Sequence, residues 1–337
     1  MATSLTSSFA LAVQAAKGTP ATTNFFSGRF LMSGGGPQYD VIETMYEHFC
    51  GAGSRPTTRK TISQRSSYIV PFAAQGNLYP LFLGAALRGI GFGVSSAGTD
   101  PEYTHTFTVA ARDSMPWLSG IIGRGDGAGA WDRKFVDGRL ETLQVQGGPR
   151  GLTLAVAGSA LKEADALGTE TFVNEAAELL VPSVGSATIT IGGGAFTGPV
   201  RGLQWQISNQ VDKNEQRLFN FERGDLQPLG LDCALQLMAI DVDADLYAEF
   251  HMNNATTDAP APASIPGAIE FTFSSANDIP TGSNPYSLTV EIPSVEFRMG
   301  AVQSQRNQLI RTNLAALMID DASAPITVTL VNSRATY

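Results

Sequence analysis

Three histidines, His48, His105 and His251, are the side chains of this chain best suited to proton transfer or metal binding. They lie far apart in sequence, and no HExxH, CxxC or GxSxG spacing accompanies them. They read as histidines in ordinary surface or core roles. Asp241-Val242-Asp243-Ala244-Asp245 begins like a calcium loop, in which alternating carboxylates wrap a hard cation. The pattern then fails. Leu246 stands where the turn needs glycine, and Met252 where a bidentate Glu should close the cage. The segment reads instead as a strand end leading into a helix, with Asp245 near its cap. Arg124-Gly125-Asp126 sits in the glycine-rich run Gly123 to Gly129, without the Lys-Ser/Thr ending of a phosphate loop, and reads as a flexible surface loop. Asn254-Ala255-Thr256 has the form of a glycosylation sequon. Cys50 and Cys233, the only cysteines, fall in different halves and read as free thiols of a reducing compartment. No catalytic residue, cofactor or metal site is expected, and the chain reads as a non-enzyme.

Charge is more informative than chemistry. Gly51 to Ser67 holds Arg55, Arg59, Lys60 and Arg65 and no acid. Asp212 to Leu226, inside the longer excursion Asn209 to Leu229, holds Asp212, Glu215, Glu222 and Asp225 against Lys213, Arg217 and Arg223, together with Phe219 and Phe221. Solvated hairpin tips are one reading of these two excursions. The other is a pair of docking arms of complementary charge with aromatic anchors, made of Arg55, Arg59, Lys60, Arg65, Glu215, Arg217, Phe219, Phe221, Glu222 and Arg223. Net charge is −9, so no basic footprint for gripping nucleic acid is present, although DNA could pass an acidic surface without sticking. Charged residues make up only 16% of the chain, which suits a surface largely covered by partners. Lys17 follows rather than precedes the mildly apolar Phe9 to Ala16, unlike a secretory signal. The apolar run Leu78 to Leu87 is too short to span a bilayer, so no membrane insertion is expected.

The elements that would carry these groups are mostly strands. Residues 1–24 read as an extended N-terminal arm rather than a packed element. Tyr68 to Phe72, His105 to Ala110, Leu143 to Gln146, Leu152 to Ala157, Leu203 to Ile207, Leu231 to Leu237, Ile269 to Phe273, Ser287 to Ile292 and Ile326 to Val331 read as strands, several alternating at period two. Gly147 to Gly151 is the turn between two of them. Helices are expected at Leu78 to Leu87, capped by Asn77 and apolar along Leu78, Leu81, Phe82 and Ala85, at Asp245 to about Asn253, and at Gln308 to Met318, where Leu309, Leu314, Leu317 and Met318 have helical spacing. Lys162 to Glu178, rich in Ala, Glu and Asp, reads as a partly helical linker. On the strands, one face is aliphatic or aromatic. The other is small or uncharged, and Thr153, Ala155, Ala157, Gln204, Gln206, Gln236, Thr327 and Thr329 on it suggest a smooth wall.

The two halves carry one pattern. Leu78-Tyr79-Pro80-Leu81-Phe82 returns as Leu246-Tyr247-Ala248-Glu249-Phe250, Phe107-Thr108-Val109 as Phe271-Thr272-Phe273, and Leu152 to Val156 as Ile326 to Leu330, in the same order. That is a duplicated module. The division read here is an arm at 1–24, a first module at 25–165, a linker at 166–184 and a second module at 185–337.

Taken together, the arm with Lys17-Gly18-Thr19-Pro20, the Leu78 to Gly91 apolar helix after a hairpin, Tyr286 to Glu296 with Ile292-Pro293, and the close at Val328 to Asn332 make the whole chain resemble the major tail tube proteins of long-tailed bacteriophages. The resemblance implies a mainly β fold of β-sandwich or partial-barrel modules, each with a flanking α-helix. It also implies rings stacked into a hollow tube in the virion tail, assembled in the bacterial cytoplasm. Such a tube houses a tape measure protein, meets tail terminator and distal tail or baseplate proteins, and conducts DNA to the host cell. With two modules per chain, three chains would make a pseudo-sixfold ring, with the uncharged wall residues toward the lumen. The alternative is a virion decoration or receptor-binding protein with two β-rich domains. A hydrolase assembled across the modules is disfavoured by the scarcity of histidine and nucleophile motifs.

Overall fold

A computed structural model describes residues 8–27, 38–48, 58–73, 79–88, 96–99, 101–123, 133–148, 151–165, 170, 172–174, 180–212, 224–241, 246–247, 250, 264–300, 311–319 and 325–335. The first part of the chain forms β1 (Ser8–Val13), β2 (Phe25–Ser27), β3 (Gln38–His48), β4 (Thr58–Ala73), the helix α1 (Tyr79–Ala86), β5 (Ser96–Thr99), β6 (Glu102–Thr108), β7 (Leu118–Gly123), β8 (Arg133–Gly148) and β9 (Gly151–Asp165). There follow β10 (Phe172–Asn174), β11 (Leu180–Ile191), β12 (Gly194–Ala195), β13 (Gly202–Asp212), β14 (Gln227–Asp241), β15 (Ile265–Asp278), β16 (Pro285–Met299), β17 (Arg311–Met318) and β18 (Thr327–Asn332). The protein is mainly β, as the alternating pattern requires. Hydrogen bonds link these strands into one sheet, antiparallel except where β10 runs parallel to β2.

That sheet folds over into two facing layers. One runs β3-β4-β9-β8-β13-β14-β17 and ends on the second half of β16. The other runs β11-β15-β16-β18-β6-β5. The long strand β16 belongs to both, pairing with β18 through Ser287–Glu291 and with β17 through Val295–Met299. Strands that pass from one layer to the other make the corners of such sandwiches. Between the layers lies one hydrophobic core to which both halves of the chain contribute. Trp205 of β13 is fully buried there, edge-on to Phe271 of β15 at 6.0 Å. Its indole N–H donates to Cys233 Sγ at 3.2 Å. Burial pushes the Cys233 thiol up to about 12, against the smaller opposing effect of that hydrogen bond, so it stays protonated.

The two halves build similar strand series. The hairpin β3–β4 joins β9, which joins β8; the hairpin β13–β14 joins β17, which joins β16. Where β9 is one strand along β8, the second half uses two, β17 and β18, along β16. The halves meet in the register of β8 with β13, and β6 pairs with β18. The helix α1 follows β4, and Leu246, Tyr247 and Phe250 are helical after β14.

Several expectations from the sequence are corrected. Part of the supposed arm is core: β1 pairs with β7 over six residues, and Phe9, Ala10, Leu11 and Ala12 are at most 1% exposed. The apolar sequence Phe9 to Val13 finds cover under Phe135, whose ring lies so close to β7 that only glycine fits at Gly120. The expected helix at Gln308 to Met318 is a strand over its described part, from Arg311. Thr312, Leu314 and Ala316 are buried and the residues between them exposed, a period of two, because β14 and β16 both pair with it. Tertiary pairing overrides the helical propensity of Leu, Ala and Met. The linker region contains strand: Lys162–Asp165 completes β9, and Phe172–Asn174 is β10. Finally, burial in α1 extends beyond the expected face, since every residue from Phe82 to Ala86 is buried. A helix apolar all round is one enclosed on all sides. Its proposed cap, Asn77, lies outside the described residues.

Candidate assembly surfaces

Among the described residues no three metal-ligating side chains cluster. His105 is buried on β6, and its Nε2 is 3.1 Å from Asn332 Oδ1 and 2.8 Å from the Arg334 carbonyl. Its described role is to fasten the chain's last residues to β6. Asp241, the start of the calcium-like run, accepts from Arg201 Nη2 at 2.9 Å and Arg311 Nε at 3.1 Å. Those arginines hold its carboxyl below the usual carboxylate range. Residues 242–245, His251, the sequon, residues 124–129 of the Arg-Gly-Asp loop and Cys50 lie outside the described residues, as does the side chain of His48.

The uncharged residues form a surface. Thr153, Gln146, Gln204, Gln236 and Ala315 are successive register partners on β9, β8, β13, β14 and β17, and Arg298 of β16 ends the row. The next row is Ala155, Gln144, Gln206, Ala234, Leu317 and Glu296. Ala157, Thr142, Ser208 and Asp232 form a third. The alternate residues Leu154, Val145, Trp205 and Leu235 point into the core, so these rows share the opposite, outer face. Charge enters only at Arg298, Glu296 and Asp232, the last on the inner strand β14. Glutamines from neighbouring strands supply a polar surface of zero charge. Gln144 and Gln146, beside Gln204 and Gln206 across the junction of the two halves, complete a group of which sequence reading singled out only the latter pair; period-two spacing in Leu143–Gln146 was the available signal.

Thr327 and Thr329 sit elsewhere. Thr106, Thr329, Thr289, Thr272 and Ser186 form a row across β6, β18, β16, β15 and β11, and Thr108, Thr327, Glu291, Glu270 and Thr188 form its neighbour. The Thr272 and Thr289 hydroxyls hydrogen-bond at 2.9 Å. This is the outer face of the second layer. The eight wall residues therefore divide, six on one side of the sandwich and two on the other.

The basic excursion is in part a strand. Arg59, Lys60 and Arg65 lie on β4, opposite Glu47, Tyr46 and Ile42 of β3. The second excursion has strand at both ends, since β13 reaches Asp212 and β14 begins at Gln227. Arg55, Glu215, Arg217, Phe219, Phe221, Glu222 and Arg223 lie outside the described residues.

Both outer faces of the sandwich carry few charges along these rows. Residues 52–315 match the model of the phage tail tube protein family, and the chain belongs to that family. No curated protein matches the chain in sequence. Membership makes this a structural component of the virion tail, one that packs against copies of itself and other tail proteins. No helix among the described residues is long and apolar enough to cross a membrane.

Proposed function

We propose that this chain assembles into stacked rings that form a hollow tail tube of the long-tailed phage type, and that the glutamine-rich face of the first layer lines the lumen. The observation that carries the reading is the cross-strand row from Thr153 to Ala315, an uncharged surface running without interruption through strands of both halves. A conduit for DNA works best where phosphates find few cations to bind, because phosphate neutralisation is what makes proteins stick to nucleic acid. Thr153, Ala155, Ala157, Gln204, Gln206 and Gln236 are the lumen group. Thr327 and Thr329 fall to the opposite side, since a wall has one inner face.

Three chains make each ring, the two modules (residues 25–165 and 185–337) filling two of six similar positions. The repeated strand series supports this, and β8 against β13 is an example of how one position joins the next. Ring closure would cover the outer edge of β3, which among the described strands pairs only with β4. Stacking uses the two excursions, with Arg55, Arg59, Lys60 and Arg65 facing Glu215, Arg217, Phe219, Phe221, Glu222 and Arg223. The tube houses the tape measure protein, meets terminator and distal tail proteins, and conducts DNA, with assembly in the host cytoplasm.

The test is chemical and structural together. Gln204→Cys and Thr329→Cys chains are assembled and treated with a bulky maleimide polymer. The Thr329→Cys tubes should label and the Gln204→Cys tubes should be protected; the reverse pattern rejects this lumen face. Averaged electron micrographs of the rings give the symmetry, and six chains per ring would overturn the trimer.

A further inference from the structure

Two cations from the first half of the chain hold the root of the β13–β14 hairpin. Arg88 follows α1 with φ of 62°, a left-handed position usually given to glycine. Its buried Nε donates to Asn209 Oδ1 at 2.8 Å, and its Nη2 donates to the Gly230 carbonyl. Asn209 Nδ2 donates in turn to the carbonyls of Ala86 at 2.9 Å and Leu140 at 3.3 Å. One arginine thereby ties both strands of the hairpin to the end of the enclosed helix. Lys17 holds the segment just before β14. At the tip of the Ala16–Thr19 turn, with Gly18 at φ 80°, it donates to the Gly224 carbonyl and meets Asp225 Oδ1 at 3.2 Å. The turn is itself fastened to the fold. Gly18 N–H donates to Asp137 Oδ1 at 2.6 Å, and Asp137 N–H donates to Gln14 Oε1 at 3.1 Å.

The held root presents an apolar side chain to solvent. Leu226 is fully buried, yet Leu229 is 53% exposed, more than any other large hydrophobic side chain described. Around it, at the hairpin end of the first layer's outer face, are the exposed Gln227 and the pair Gln210 and Asp232, joined at 2.8 Å. A lone exposed leucine is ordinary. One on a backbone fixed at two points is different, because docking would cost little ordering entropy there. An apolar anchor inside a polar rim is also how binding energy is concentrated.

We propose that Leu229 anchors one copy of this chain on a second copy, and that Lys17 and Arg88 are positioning residues for that contact. The occupant is a second copy because family members pack against themselves, and because the mostly amide rim lets like surfaces approach with little repulsion. The proposal rests on the self-assembly reading above.

The experiment uses the full chain as wild type, Leu229→Ser, Lys17→Met and Lys17→Arg. It measures the concentration needed for assembly by light scattering, thermal unfolding, and hydrogen exchange of the amides between 224 and 230. Leu229→Ser should raise the assembling concentration about tenfold or more, with the unfolding midpoint within about 3 °C. Lys17→Met should raise it as well and speed exchange in 224–230, whereas Lys17→Arg, which keeps a cationic donor, should restore both. Leu229→Ser assembling like wild type overturns the anchor. Lys17→Met leaving assembly unchanged, or altering it without altering exchange, overturns the positioning role. Should Lys17→Met fail to fold, Lys17→Arg and Leu229→Ser still decide. Wild type that never assembles defeats the self-assembly reading itself, and this proposal with it.

Discussion

Lys134 is a charge inside an apolar layer. Its side chain is 2% exposed, as is that of Glu170, whose Oε1 lies 3.0 Å from Nζ, and the Phe25 ring lies 5.5 Å from the same nitrogen. Burying two ions costs about as much as their attraction returns, but removing one leaves the other stranded. Glu170→Ala should therefore lower stability by roughly 3–5 kcal/mol, whereas the double change Lys134→Met with Glu170→Leu should be near neutral. Denaturant unfolding of both variants checks this; a mild Glu170→Ala would show that the pair matters little. Glu102 illustrates the exposed case. It accepts from the Asn284 side-chain amide and backbone N–H, each at 2.7 Å, and from the Ser283 N–H. These bonds, the Asn284 side chain first, hold its carboxyl below the usual range. Asp241 is held low in the same way, by Arg201 first and then Arg311. A carboxyl lowered by folding contributes stability that is complete above its unfolded pKa, near about 4, and is lost as pH falls through its folded value. Unfolding midpoints should hold between pH 7 and 5 and drop below about 4. Glu102→Gln should flatten part of that drop, and an unchanged acid slope would remove Glu102 from the account.

At the scale of elements, β17 separates pattern from context. A helix would set Leu314 and Leu317 on one apolar stripe, and their spacing of three satisfies that template. The strand puts Leu314 in the core and leaves Leu317 44% exposed on the glutamine face. Leu314→Ala should cost about 2–5 kcal/mol, and Leu317→Ala should stay within about 0.5 kcal/mol. Comparable losses from the two would contradict the strand. Strands with neat alternation, such as Leu152 to Ala157, Leu203 to Ile207 and Ile326 to Val331, were readable because a half-buried strand writes its two faces into the sequence directly. β1 was not readable. Ser8 to Val13 is too short and too uniformly apolar to show a period, and it is core only because β7 and Phe135 cover it.

At the scale of the molecule, the two halves are joined through shared sheets and a shared core rather than hung on a linker. One consequence is measurable. Trp205 of the second half packs between layers to which both halves contribute, so Trp205→Ala, at roughly 3–5 kcal/mol, should shift one cooperative unfolding transition of the whole chain. Two separate transitions, only one of them moved, would mean that the halves fold as independent units. The candidate lumen face depends on the same joining, since its rows pass from β8 to β13 and neither half holds the six-strand surface alone.

The mainly β class was legible from the residues, because period-two alternation is a local property of each strand, whereas the tail tube family was reached through resemblance along the whole chain and is shown by the match over residues 52–315. Which strands are neighbours, and therefore which residues share a face, emerged with the fold. Thr153 and Thr329 have the same type and the same alternation, yet lie on opposite sides of the sandwich. The physical reason is that alternation tells each strand only its inside from its outside. Which outside it is depends on the layer that its long-range hydrogen bonds place it in.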